Sequence, residues 1–240
     1  MRSLVRGTVL AASLAACGSP APASPSHLEV PPARREAIVR LETASRVLGE
    51  LRATADSFVP RAVAEGARCV VVVPDLVHAG FIVGARAGRG VATCRESGGW
   101  SRPTFVRLTS ASAGLQAGVQ TVDVVMLMMT SSSVQRLLEG KAQLGATTSI
   151  AAGPVGREAQ ASSNVTLSAE VLYYSRASGL FVGLDLSGTV LEADEESGRA
   201  FYGDSRDFRA LLRVPPEPPP AAKDFIDAVD RSFPTVVRGP

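Results

Sequence analysis

Lysine is almost missing from this chain of 240 residues: only Lys141 and Lys223 carry it, and the remaining positive charge is arginine. The formal balance is 25 basic against 23 acidic residues, and it becomes even once Arg2 and Arg6 of the leader are set aside. A chain so balanced lacks the strong basic excess of a general nucleic-acid binder, and none is expected as a partner. Histidine is scarce too. His27 lies in a Pro-rich stretch and His78 in what reads as a turn, so only His78 could serve a nucleophile–base triad. The G-x-S-x-G, H-E-x-x-H and Walker A patterns are absent, so no catalytic residue and no cofactor is assigned. Cysteine occurs three times, and Cys69, Cys94 and one histidine do not make a zinc or iron–sulfur set. Gly88-Arg89-Gly90 lacks the third glycine and the following helix of a nucleotide loop. The longest apolar run of the mature chain, around residues 122–129, is too short to cross a bilayer and is interrupted by Asp123.

What is present begins with an address label. Residues 1–16 carry two arginines, a short apolar core and then small residues, the pattern of a secretory signal peptide. The segment ends in Leu14-Ala15-Ala16-Cys17-Gly18, which resembles the lipobox of bacterial lipoproteins. That resemblance implies an acylated Cys17 as the first mature residue; simple cleavage with Cys17 incidental is the alternative. Gly18 in place of aspartate favours the outer membrane, so the expected location is exported, facing the periplasm or the exterior. Residues 17–33, rich in Pro, Ala and Ser, read as a disordered tether.

The folded part opens with a helix over residues 34–58, where Leu41, Ala44, Leu48, Leu51, Ala55 and Phe58 form one apolar stripe. A short helix follows Pro60. The period then changes to that of strands: 69–73 ending at Pro74, 81–85, 90–94, 104–109 and 115–129, the last expected to bend near Gly114 or Gly118. A helix over 131–141 is capped by Ser132 or Ser133 and ended by Gly140. Strands over 147–152, 165–175 and 180–186 come next, the last two joined at Ser178-Gly179. Short helices over 194–202 and 207–212 precede a Pro-rich edge at 214–220 and a small terminal helix over 222–233. Strands come in runs rather than in βαβ alternation. The predicted fold class is therefore α+β: a single β-rich domain over residues 34–214, its sheet curved, mostly antiparallel or a partial barrel, with flanking helices. Residues 215–240 form a Pro-rich segment and a short C-terminal helix.

Two features carry chemistry of their own. Asp123, alone in an apolar strand, needs a cation, hydrogen-bond donors or a proton, and Arg157 or Arg176 could supply the first. If it lined a cleft instead, it would be a polar site candidate. Cys69 and Cys94 sit on strands of one sheet in an oxidising compartment, which favours a disulfide over two separate buried thiols.

Five blocks then fall in one order: Gly98-Gly-Trp-Ser-Arg-Pro103, Gly114-Leu-Gln-Ala-Gly118, Ala151-Ala-Gly-Pro-Val-Gly-Arg157, Tyr174-Ser-Arg-Ala-Ser-Gly-Leu-Phe181 and Tyr202-Gly203. Together they resemble the SYLF lipid-binding domain family, over residues 47–212, in its bacterial lipoprotein branch. Cysteines like Cys69 and Cys94 occur in that branch. The resemblance implies a non-catalytic domain that binds phospholipid or phosphoinositide-like headgroups, with Arg102, Arg107, Lys141, Arg157 and Arg176 as the cations to consider. The chain departs from the family pattern at Gln143, Thr147, Ser163-Asn164 and Ser187, so lipid specificity does not transfer. The alternative is a structural lipoprotein whose glycine-rich surface contacts an envelope or host protein.

Overall fold

Four consecutive valines, Val70 to Val73, carry no polar atom in their side chains and prefer the pleated backbone, so they make the middle of a sheet. A computed structural model describes residues 30–53, 59–80, 83–113, 118–155, 168–178, 180–203, 207–213 and 217–234. The chain divides into two units, Met1–Val30 and Pro31–Pro240, and only the second is described below. The expected signal peptide, Cys17, most of the tether and Arg157 lie outside the described residues.

The strands are β1 (Cys69–Gly80), β2 (Val83–Glu96), β3 (Gly99–Trp100), β4 (Thr104–Ala113), β5 (Gly118–Met128), β6 (Lys141–Gln143), β7 (Ile150–Ala152), β8 (Val171–Ala177), β9 (Leu180–Phe181) and β10 (Val190–Ala193). The helices are α1 (Pro32–Ala53), α2 (Arg61–Gly66), α3 (Ser131–Leu138), α4 (Glu195–Tyr202), α5 (Phe208–Leu211) and α6 (Lys223–Ser232), the last entered through a 3-10 turn, Pro220–Ala222. Eight strands run in the order β6-β10-β4-β2-β1-β5-β8-β7; β3 pairs with β2 and β9 with β8. Every pairing is antiparallel except β7 with β8. The sheet curls into a half-barrel with flanking helices, as the sequence led us to expect. An isolated bridge between Leu144 and Thr148 lies within the loop from β6 to β7.

Alternation along the strands sends side chains into two cores. The inner face collects Val71, Val73, Leu108, Val124 and Met126 with Leu144 and Leu191 from the far strands, and α3 and α5 close it with Leu137 and Phe208. The outer face collects Val70, Val72, Val91, Phe105, Val125 and Leu172 under α1, α4 and α6. Helix α1 crosses the strands: its Arg40 lies over Phe105 of β4, and its Glu50 reaches Arg176 of β8. Phe225, Val229 and Phe233 join this outer core, so the terminal helix packs on the same body as the sheet.

The structure corrects several sequence boundaries. Strand β1 does not stop at Pro74. Proline breaks the ladder for one bulge between Val73 and Leu76, with Asp75 at φ 49°, and the strand resumes as far as Gly80. His78 therefore stands on β1, not in a turn. Gly88 and Gly90 lie inside one continuous β2. A Cβ on Gly90 would sit 2.4 Å from the Val72 carbonyl oxygen, so glycine there serves close strand packing. Helix α3 is capped by Thr130, with Ser133 as its reciprocal partner in a capping box, in place of the expected Ser132 or Ser133. The strand expected over 180–186 keeps only β9. Short strands β3, β6 and β10 had no periodic signal because two to four residues contain at most two alternations.

Candidate functional site

Asp123 faces outward on β5. Its Oδ1 accepts a hydrogen bond from the Asp75 N–H at 3.0 Å, so the carboxylate holds the β1 bulge. Arg176 is its register partner on β8, and the Arg176 guanidinium also meets Glu50 of α1 at 3.4 Å. Asp123 is thus embedded between elements of the fold. Cys69 and Cys94 are direct partners across β1 and β2 and form a disulfide.

The four lipid candidates among the described residues, Arg102, Arg107, Lys141 and Arg176, do not share one surface. Arg176 is covered by α1, with 9% of its side chain exposed. Arg102 is half-buried beyond β3. Arg107 and Lys141 do come together. In register, Lys141 of β6 faces Glu192 of β10, Glu192 faces Arg107 of β4, and Arg107 faces Arg89 of β2. All four belong to the outer face, because Phe105 and Val91, two residues along, point into the outer core. Lys141 Nζ pairs with Glu192 at 3.1 Å, and Arg89 reaches toward Asp194 at 3.9 Å. Arg107 is exposed.

Beyond this charged row α1 no longer covers the sheet. The next row runs Gln143, Val190, Thr109, Ala87, Val77 and Thr121 across six strands. The row after it is Ala111, Ala85, Ala79 and Val119. None of these ten residues is charged. Val77 is 42% and Val119 77% exposed, which marks a broad uncharged face open to solvent. Alternation hid this face from sequence reading: once the bulge shifts the register by a residue, Val77 and Ala79 point outward while Leu76 stays in the inner core.

Two polar clusters that the sequence did not signal tie the flanking helices to the sheet, one at each face. Asp194, 1% exposed, caps α4 through the Ser197 N–H at 3.2 Å and pairs with Arg40 at 3.4 Å. Burial pushes the Arg40 guanidinium below its ordinary value, and Asp194 pulls it back up. Glu170 ties α3 to the start of β8. It accepts from the Ser132 hydroxyl, from the Ser149 N–H at 2.9 Å and from Arg136 at 3.0 Å. The Ser132 hydroxyl contributes most to holding its carboxyl below the usual range. The Gly153-Pro154 block is structural as well: a Cβ on Gly153 would fall 2.2 Å from the Tyr174 ring, and burial pushes that phenol up. Among the described residues no group of three or more His, Cys, Asp or Glu could hold a metal ion, and no helix is long and apolar enough to cross a membrane.

A model of the Ysc84 family, described as Las17-binding protein actin regulator, matches residues 109–232. The chain belongs to the Ysc84/SYLF family. It is 34% identical over 184 residues to LAS seventeen-binding protein 3 of Saccharomyces cerevisiae, covering 75% of this chain and 40% of that protein. It is 32% identical over 157 residues to the SH3 domain-containing YSC84-like protein 1 of Xenopus laevis, covering 65% and 46%. With the human protein of the same description it shares 30% over 178 residues, covering 73% and 52%. The chain thus spans about two fifths to one half of the length of these Ysc84/SYLF relatives. The yeast relative is named as a binding protein, and the family description is that of an actin regulator.

Proposed function

We propose that this Ysc84/SYLF chain is a non-catalytic, exported lipoprotein, anchored at the outer membrane through acylated Cys17, whose domain binds anionic lipid through the outer face of its sheet. The observation that supports this reading is the row Arg89, Arg107 and Lys141, three cations in register with a single intervening carboxylate, bordering two rows without charge. Successive rows on one face are about 7 Å apart, so uncharged side chains would rest at the acyl boundary while the cations meet phosphates. Each cation near an anionic surface contributes about 1 kcal/mol, screened by salt. Vesicle flotation of a chain lacking residues 1–17 tests it. Binding to phosphatidylglycerol vesicles, weak binding to phosphatidylcholine vesicles and loss at high salt are expected. Absence of binding to both would refute it.

The names of the relatives favour a second reading, in which the same face meets a protein. Cross-linking in intact cells separates the two: a discrete cross-linked protein that is lost when the row is neutralised supports the protein reading.

A further inference from the structure

At the opposite end of the strands, nine to eleven residues and roughly 30–35 Å along β1 from the uncharged rows, lies an open cleft of about 670 Å³. That volume falls in the range of small-molecule sites. Its walls are fixed. Arg209 Nε donates to the Leu138 carbonyl at 3.2 Å, joining α5 to the end of α3, and Glu170 holds the first turns of α3 from the other side. Its apolar part is Val134 and Leu138 with Cys94 of the disulfide, beside Ser131 and Gln135 of α3.

Three arginines and one glutamate, Glu96, line it, which leaves the cleft net positive. Arg95 is already committed. Its guanidinium donates to the carbonyls of Ala67, Ala64, Phe233 and Pro234 and stacks over Trp100 at 4.4 Å, and burial lowers its pKa. Arg68 and Arg213 differ. Both are exposed at the cleft, and neither side chain has a hydrogen bond or ion pair to another described residue. By contrast Arg46, Arg61, Arg199 and Lys223 are each paired with a carboxylate one helical turn away. Two free guanidinium forks beside an apolar floor complement a ligand with an oxyanion at one end and a hydrocarbon at the other.

The geometry points to a binding site for a single-chain anionic amphiphile, a fatty carboxylate or a monoacyl phosphate. Its chain lies on Val134, Leu138 and the disulfide, and its head sits between Arg68 and Arg213. This site is separate from the outer-face row and does not rest on the membrane reading. All buried residues of both cores lie within Pro31–Pro240, so a chain lacking residues 1–17 keeps the described packing.

Isothermal titration of that chain with laurate, dodecyl phosphate and dodecanol tests the proposal. Saturable one-to-one binding of either anion, at least tenfold tighter than dodecanol, is expected, and the anion that binds better identifies the head. The Arg68→Gln/Arg213→Gln variant weakens that binding at least tenfold, while its urea midpoint and its flotation on phosphatidylglycerol vesicles stay as in the parent. Failure of both anions to bind, equal binding of dodecanol, or full affinity in the double variant would each overturn the site. Arg107→Gln/Lys141→Gln serves as the converse control: it lowers flotation and leaves laurate binding intact.

Discussion

Replacing Asp194 by alanine removes one member of a buried pair and strands the other. Arg40 keeps only 9% of its side chain exposed, so water cannot take over the charge that Asp194 neutralises at 3.4 Å. Breaking a buried pair by deleting one partner costs about 3–5 kcal/mol. The contact with Arg89, at 3.9 Å on a half-exposed side chain, adds little. Part of the loss, about 1 kcal/mol, belongs to the α4 cap, where Asp194 accepts from the Ser197 N–H. Asparagine preserves a capping oxygen but not the charge, so Asp194→Asn falls between wild type and Asp194→Ala. Adding Arg40→Met to Asp194→Ala removes the orphan cation and recovers part of the stability. Urea unfolding of the four proteins measures the series. An Asp194→Ala variant within about 0.5 kcal/mol of wild type, or no recovery from Arg40→Met, would refute the reasoning.

Three further outcomes are expected. Gly153→Ala drives a methyl to within 2.2 Å of the Tyr174 ring, and the resulting overpacking costs about 1–3 kcal/mol in the same assay; an unchanged midpoint contradicts the close approach. Glu170 has a folded pKa below the ordinary value of 4.5. Its contribution is therefore complete above 4.5 and is lost as pH falls through the folded value, so Glu170→Gln should flatten the acid limb of the stability profile. Parallel limbs would dismiss that role. Reducing the Cys69–Cys94 bond, which spans 25 residues, lowers stability by about 3 kcal/mol in the chain-entropy account; denaturation with and without reductant reads this directly.

Much of the frame was legible in the sequence because burial imposes a period. The α1 stripe of Leu41, Ala44, Leu48 and Leu51, the Val70–Val73 run and the terminal helix with Phe225 and Val229 each declared an element and a face. The cysteines sat on strands whose register then proved direct. The candidate surface was harder to read, because it depends on pairing between distant segments. Arg89, Arg107 and Lys141 are 18 and 34 positions apart along the chain, and only the β2–β4–β10–β6 ladder aligns them. Asp123 looked like a site because a lone carboxylate in an apolar strand calls for a partner. Its partner is the backbone of a bulge that the Pro74 signal had suggested was a strand end. Arg68 and Arg213 carry no pattern at all, and only folding sets them on one cleft.

The most direct test of the membrane reading is flotation of the chain lacking residues 1–17 on phosphatidylglycerol vesicles, with and without reversal of the row by Arg107→Glu and Lys141→Glu. The account predicts vesicle binding by the parent and its loss in the reversed variant, with an unchanged urea midpoint. Equal flotation of the two proteins would contradict it.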